Sequence, residues 1–226
     1  MSNKVGRGRK VIEYRSMREQ DVPSLMGLCS TVWEFERGCS DYKILQHIEE
    51  VFLYLAMASG SFSTVAVRNG EPVGVIIGRH KSKYQLYSNL KYGKMLIPAT
   101  LKLLLSTEGR AFIRSILAAD RLQQRMLKNV RSTNYDGELV LLVTHPDVQG
   151  KGVGKQLLHS FISYMKKNRA SNFYLFTNTK CNYPFYDRQG FHCVEKQHVE
   201  IQPGIAQTNF MYELQQLPDD EVWKDA

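Results

Sequence analysis

The sequence predicts an α/β fold in which helices flank a central sheet, and three observations carry that expectation. Residues 139–143, Leu-Val-Leu-Leu-Val, form an apolar run of strand length, bounded by Asp136-Gly137 before it and Pro146-Asp147 after it. Val153, Leu157, Leu158, Phe161, Ile162 and Met165 then recur at helical spacing, with Lys166, Lys167 and Arg169 where a helix C-terminus favours cations. Upstream, Asn69-Gly70 stands between two apolar runs, and Asn-Gly supplies the two positive φ angles of a type I′ hairpin turn.

Taken in order, residues 11–17 alternate enough to be a first strand, and the stretch 18–23 leads into a helix over about 24–37. Ser40-Asp41 can cap a second helix to about residue 58, with Ile44, Leu45, Ile48, Phe52 and Leu55 on one face. The hairpin over 65–77 follows. Residues 81–135 depart from a compact pattern: 100–105 is strongly apolar, and Phe112, Ile113, Ile116, Leu117, Leu122, Met126 and Val130 predict a long helix after Thr107-Glu108. We read this stretch as a helical insertion before the 139–143 strand. It would form a wall or lid of a binding pocket, or else an extra packing layer or an oligomer contact. After the second amphipathic helix, 173–177 is a strand, 182–188 a loop entering a short helix that Gly190 ends, and 193–201 and 209–214 closing strands around Gln202-Pro203-Gly204. No internal repeat or low-complexity linker divides the chain, so a single domain over 1–226 is expected.

Composition narrows the function classes. A hydrophobic fraction of 43% and an aromatic fraction of 11% are ordinary for a globular protein of 226 residues. No apolar run approaches the ~20 residues that span a bilayer, and the basic N-terminus lacks the apolar core of a secretory signal, so a cytoplasmic protein with no membrane partner is expected. Cys29, Cys39, Cys181 and Cys193 form no metal or redox spacing. His192, Cys193 and His198 could be drawn as ligands, but neighbours on a strand point to opposite faces, and no metal is expected. The net charge of +8 favours anionic ligands; apart from Lys4, Arg7, Arg9 and Lys10 the cations are scattered, without the aromatic interleaving of a nucleic-acid platform.

The chemistry concentrates at residues 149–155. The first N–H groups of a helix have no intrahelical partner, and glycines let an anion approach that backbone. Gly150, Gly152 and Gly154, with Lys151 and Lys155, therefore read as a phosphate cradle. A nucleoside-triphosphate loop ending on Gly154-Lys155 would have Gln149 in place of its first glycine and Gln156 in place of its metal-binding hydroxyl. A dinucleotide fingerprint from Gly152 would put Leu157 where its last glycine belongs. What fits is Gln149-x-x-Gly152-x-Gly154.

With that loop the chain resembles the GNAT superfamily of acyl-coenzyme A-dependent N-acetyltransferases, whose central loop is Q/R-x-x-G-x-G/A after a strand ending in Val-x-x-Pro. The stretch from Asn182 to Phe191, Asn-Tyr-Pro-Phe-Tyr-Asp-Arg-Gln-Gly-Phe, resembles the family's second signature. The two motifs cover 138–191. The resemblance implies a mixed, mostly antiparallel central sheet with flanking helices, acetyl-CoA as co-substrate, and direct transfer to an amine acceptor.

It also implies roles. The motif strand splays from its neighbour, so Leu142, Val143 and Thr144 offer backbone groups to the pantetheine arm, and an N–H of Leu142 or Val143 polarises the thioester. Gln149, Gly150, Lys151, Gly152, Val153, Gly154 and Lys155 hold the pyrophosphate, and Asn182 contacts the cofactor. Tyr186 matches the tyrosine that protonates the departing thiolate; Tyr183 and Phe185 are read as core. Glu138 stands where some members carry a general base, or is a solvated strand-end carboxylate beside Asp136. His145, before Pro146, is read as structural. A small amine is the favoured acceptor because the insertion narrows the groove a polypeptide would need. A homodimer is left open, and a non-catalytic acyl-CoA-binding or basic-surface module is the alternative class.

Overall fold

The computed structural model describes residues 11–83, 86–130, 134–202 and 205–217. The basic cluster Lys4, Arg7, Arg9 and Lys10, the dipeptide Pro203-Gly204 and the tail 218–226 lie outside the described residues. Strands β1 (Ile12–Ser16), β2 (Phe62–Arg68), β3 (Glu71–His80), β4 (Gly137–Thr144), β5 (Asn172–Asn178), β6 (His192–Gln202) and β7 (Ile205–Gln215) form one sheet in the order β1-β2-β3-β4-β5-β7-β6. Every neighbouring pair is antiparallel except β4 and β5. The expected mixed, mostly antiparallel sheet is therefore what forms. At the β2–β3 turn, Asn69 (φ 56°) and Gly70 (φ 86°) adopt the two left-handed conformations that Asn-Gly predicts.

Helices cover both faces, which is why the central strands read as nearly continuous apolar runs. Helix α5 (Val153–Lys167) packs Leu157, Leu158, Phe161, Ile162 and Met165 against Ala66, Ile76, Leu139, Phe173 and Leu175. On the opposite face, α1 (Val22–Trp33) and α2 (Tyr42–Ser59) place Leu25, Cys29, Leu53 and Met57 against Val65, Val75, Ile77, Leu141 and Val143. Fully burying each large side chain of these layers contributes about 1.5–3 kcal/mol. Asp41 caps α2 as expected, its carboxylate accepting the Lys43 N–H at 2.8 Å.

Two local readings are corrected. The first helix stops at Trp33, because Glu34 turns left-handed (φ 54°) and Phe35–Gly38 continues as a 3-10 turn. Leu55, expected on the inner face of α2, is 37% exposed, whereas Val51, Leu53, Tyr54 and Met57 are buried. Helix α2 is flanked by the sheet and by the insertion, so its buried face is not the single stripe that periodicity selects.

The insertion is helical, but as two helices, α3 (Leu86–Leu104) and α4 (Thr107–Asn129). The first was legible only at its apolar end; Gly93 and Pro98 obscure the rest. Ser106 divides the pair and accepts the Gly109 N–H at 2.9 Å. Ala99 and Leu103 join Cys39, Leu45, Ile48 and Val51 in a third core, with Phe112, Ile113 and Ile116 against it. At the far end of α4, Asn129 donates to the Glu195 carboxylate of β6 at 2.9 Å. The insertion thus runs from α2 to β6 on the side of the sheet away from α5. Among the described residues no helix is long and apolar enough to cross a membrane.

Gly78 supplies a stability test. A Cβ there would lie 2.1 Å from the ring of Phe161, which is fully buried and cannot retreat. Gly78→Ala should cost about 1–3 kcal/mol in urea unfolding. Gly93→Ala, which meets nothing within 4 Å in α3, should stabilise by roughly 0.5–1 kcal/mol.

Candidate active site

The site begins with an interruption in the sheet. Strand β4 is paired with β3 along its length, but with β5 only at Glu138–Tyr174 and Leu139–Leu175. Beyond Leu139 the two parallel strands separate. A bulge opposite Ile77 and Gly78 leaves Val140 outside the register, so Leu139 faces the α5 core while Leu141 and Val143 face α1 and α2.

The register then decides which backbone groups enter the gap. His145 N–H donates to Val73 O at 2.8 Å, which sets the phase of the antiparallel ladder. By alternation the N–H and C=O of Val143, opposite Val75, turn towards β3, whereas those of Leu142 and Thr144 turn into the gap. Of the three backbone positions expected to hold a ligand, Leu142 and Thr144 turn into the gap and Val143 turns towards β3. Sequence reasoning had no access to this phase.

The gap ends on the glycine loop. Pro146–Val148 is a 3-10 turn with His145 as its cap, the ring nitrogen accepting the Asp147 N–H at 3.2 Å, so His145 is structural as expected. Gly150 (φ 71°) and Gly152 (φ 79°) are left-handed, and Gly152 caps α5. The first bond inside α5 runs from Gln156 N–H to Gly152 O at 3.0 Å, so the N–H groups of Val153 and Gly154 precede the helical ladder. A Cβ at Gly150 or Gly152 would meet nothing within 4 Å, leaving the backbone approachable. Val153 buries its side chain in the core and presents only its backbone; Gln149 and Lys151 are exposed, and Lys155 lies beside them in the first turn. Lys151 is partly engaged, its ammonium donating to Asp147 O at 2.6 Å. The loop therefore fits an anion such as a pyrophosphate by its open backbone, its helix terminus and its cations.

Across the gap, β5 leads to α6 (Pro184–Arg188). Tyr186 of α6 is packed edge-on against Phe185 at 5.2 Å and Phe191 at 5.6 Å, with Tyr212 6.0 Å away. Burial, and to a smaller extent nearby Cys181, pushes its phenol well above the ordinary tyrosine range. Leu142, Phe185 and Tyr186 all pack against the α5 core, and Phe185 approaches Gly154, 3.8 Å from where a Cβ would stand. Tyr183 packs tilted against Phe210 at 4.6 Å, partly buried against the α5 core. Asn182 is exposed, and its backbone carbonyl accepts the Phe185 N–H at 3.1 Å.

Glu138 sits where β4 and β5 are still paired; because of the bulge, it and Leu142 lie opposite Arg79 and Ile76, three residues apart on β3 or roughly 10 Å at ~3.3 Å per residue. It is not a solvated strand end. Arg79 of β3 forms an ion pair with its carboxylate, and the Tyr174 hydroxyl donates to it at 3.2 Å. With Lys81, Tyr135 and Gly137 these residues line a cavity of about 300 Å³. Desolvation, reinforced by Glu138, pushes the Tyr174 phenol up to about 12. Arg79, Lys81, Tyr135 and Tyr174 were missed by sequence reasoning; the available signal was a single arginine at the end of the apolar run 73–77. A larger hollow, about 520 Å³, is lined by α4 residues alone, Asp120, Arg121, Gln124, Arg125 and Lys128, and brings together none of the residues above.

The family model described as acetyltransferase (GNAT) family matches residues 27–191. Among solved structures, an N-acetyltransferase from Staphylococcus aureus Mu50 is 12% identical with a TM-score of 0.54, over 91% of this chain and 98% of that one. The ribosomal-protein-S18-alanine N-acetyltransferase from Escherichia coli is 12% identical with a TM-score of 0.51, over 93% and 97%. The PaiA N-acetyltransferase from Thermoplasma acidophilum, solved in complex with coenzyme A, is 14% identical with a TM-score of 0.50, over 91% and 99%. At such identities the likeness is one of fold. No curated protein matches the sequence.

Gly152→Glu should abolish calorimetric binding of coenzyme A, since a side chain at φ 79° is strained and the carboxylate repels a pyrophosphate. Unchanged affinity would place the anion elsewhere.

Proposed function

We propose that this chain, which belongs to the acetyltransferase (GNAT) family, moves an acetyl group from acetyl-CoA to a primary amine of a small molecule, within a ternary complex. The observation that carries the reading is the break in the β4–β5 ladder after Leu139, with outward-turned backbone groups leading to an open helix N-terminus. No other position in the described sheet leaves two adjacent parallel strands apart above an anion cradle.

In this reading Leu142 and Thr144 pair through their backbones with the amides of the pantetheine arm. The loop Gln149, Gly150, Lys151, Gly152, Val153, Gly154 and Lys155 receives the pyrophosphate, and Asn182 contacts the same ligand from the loop before α6. The Leu142 N–H polarises the thioester carbonyl and stabilises the oxyanion that forms on attack. Glu138 accepts the proton of the incoming ammonium, directly or through water. The amine nitrogen bonds to the carbonyl carbon, the carbon–sulfur bond breaks, Tyr186 gives its proton to the departing sulfur, and the surplus proton on the new amide nitrogen passes through water to restore the Tyr186 hydroxyl. Burial keeps the Tyr186 hydroxyl protonated in the resting site, so the proton is in place when the sulfur departs. The small-acceptor reading is supported by the insertion, which runs from α2 to β6, and by the modest size of the cavity beside Glu138, about 300 Å³.

Thermal unfolding with and without acetyl-CoA tests the donor. At ~100 times its dissociation constant the ligand should stabilise by about 2.7 kcal/mol, a shift of roughly 2–4 °C for a chain of this length. No shift at millimolar ligand sinks the reading, and a shift without thiol release from any amine turns it into a binding module. Tyr186→Phe should keep that shift while lowering kcat by about 100-fold or more; full turnover would remove Tyr186 as the acid.

A further inference from the structure

We infer that the acceptor is a compact amine that also carries an oxyanion group, and that Arg79, assisted by Lys81, receives that group in the cavity beside Glu138. The inference rests on the acetyltransferase reading and deepens it. The lining of the cavity holds two cationic side chains, Arg79 and Lys81, against one carboxylate, Glu138, so its balance is positive. An acceptor that is only an ammonium ion would enter against that balance. An acceptor with an oxyanion of its own matches it, the ammonium towards Glu138 and the oxyanion towards the cations.

The polar groups are arranged for such an exchange. The Tyr174 hydroxyl already donates to Glu138, and that of Tyr135 donates to Glu213 at 2.5 Å, so neither phenol is the principal anion donor. The Lys81 ammonium donates to the Asn134 side chain at the rim. Arg79 is different: its guanidinium engages Glu138 through Nη2, yet its side chain is 47% exposed while that of Glu138 is 16% exposed. A planar fork with several donors can accept a second oxyanion bidentately at its exposed edge. In doing so it weakens its hold on Glu138, whose oxygen then becomes available to the ammonium proton. Arg79 is thus a specificity residue that couples the acceptor's anion to the release of the base.

The test compares primary amines that differ only in the anion, β-alanine against β-alaninamide and 2-aminoethyl phosphate against ethanolamine, by thiol release at saturating acetyl-CoA. The anionic member of a pair should show kcat/KM about 10- to 100-fold higher, mainly through KM, as a charge-assisted bidentate contact implies. Arg79→Gln should collapse that ratio towards one while the coenzyme A melting shift persists, and Arg79→Lys should restore part of it. Equal or better turnover of the uncharged members, or a ratio untouched by Arg79→Gln, overturns the inference and leaves the acetyltransferase reading standing. Absence of thiol release from every amine overturns both.

Discussion

The structure depends on how β4 is held. It and β5 form the one parallel pair among the described strands, and each has an antiparallel neighbour on its other side. The antiparallel ladder to β3 runs its full length, whereas the parallel ladder to β5 ends after Leu139. A strand so anchored on one edge can leave the other edge unpaired without losing its place. The open edge is costly unless something pairs with it, since buried backbone groups need partners. A ligand with amides of its own is a natural partner, and the gap leads directly to a helix terminus whose first N–H groups lie before the helical ladder.

The rest of the fold keeps that opening in place. Helix α5 is fastened beneath β4 by Leu157, Phe161 and Met165, so the glycine loop at its N-terminus is fixed relative to the strand that precedes it. The close approach of Gly78 to Phe161 shows how little space separates the helix from the sheet. The bulge at Val140 adds an extra residue to β4, with the consequence that Glu138 and Leu142 do not share one face. The α5 side carries Leu142 and Tyr186, while Glu138 opens towards Arg79, Tyr174 and the cavity. The proposed donor and acceptor thus approach β4 from two sides of the sheet.

The insertion completes the second side. Its two helices bury Ala99 and Leu103 against α2, and Asn129 ties the end of α4 to β6. This combination covers α2 with a further packed layer. The outward side of α3 still exposes Leu90, Ile97, Leu101 and Leu104, so the helix is apolar on more than its packing face.

The sequence by itself determined what local physics controls. The Asn69-Gly70 turn, the Asp41 cap, the core stripe of α5 and the left-handed glycines of the loop follow from propensity, capping and spacing, which act within a few residues. For the same reason the loop and Tyr186 could be singled out through short motifs. Only the tertiary structure decided the phase of β4, which turns Leu142 and Thr144 into the gap and Val143 away, because that phase is set by a bond to Val73 and by a bulge against β3. It also decided the surroundings of Glu138. Arg79, Tyr174 and Tyr135 come from other strands and from the approach to β4, and their convergence on one carboxylate is a property of strand order, to which no local pattern in the chain gives access.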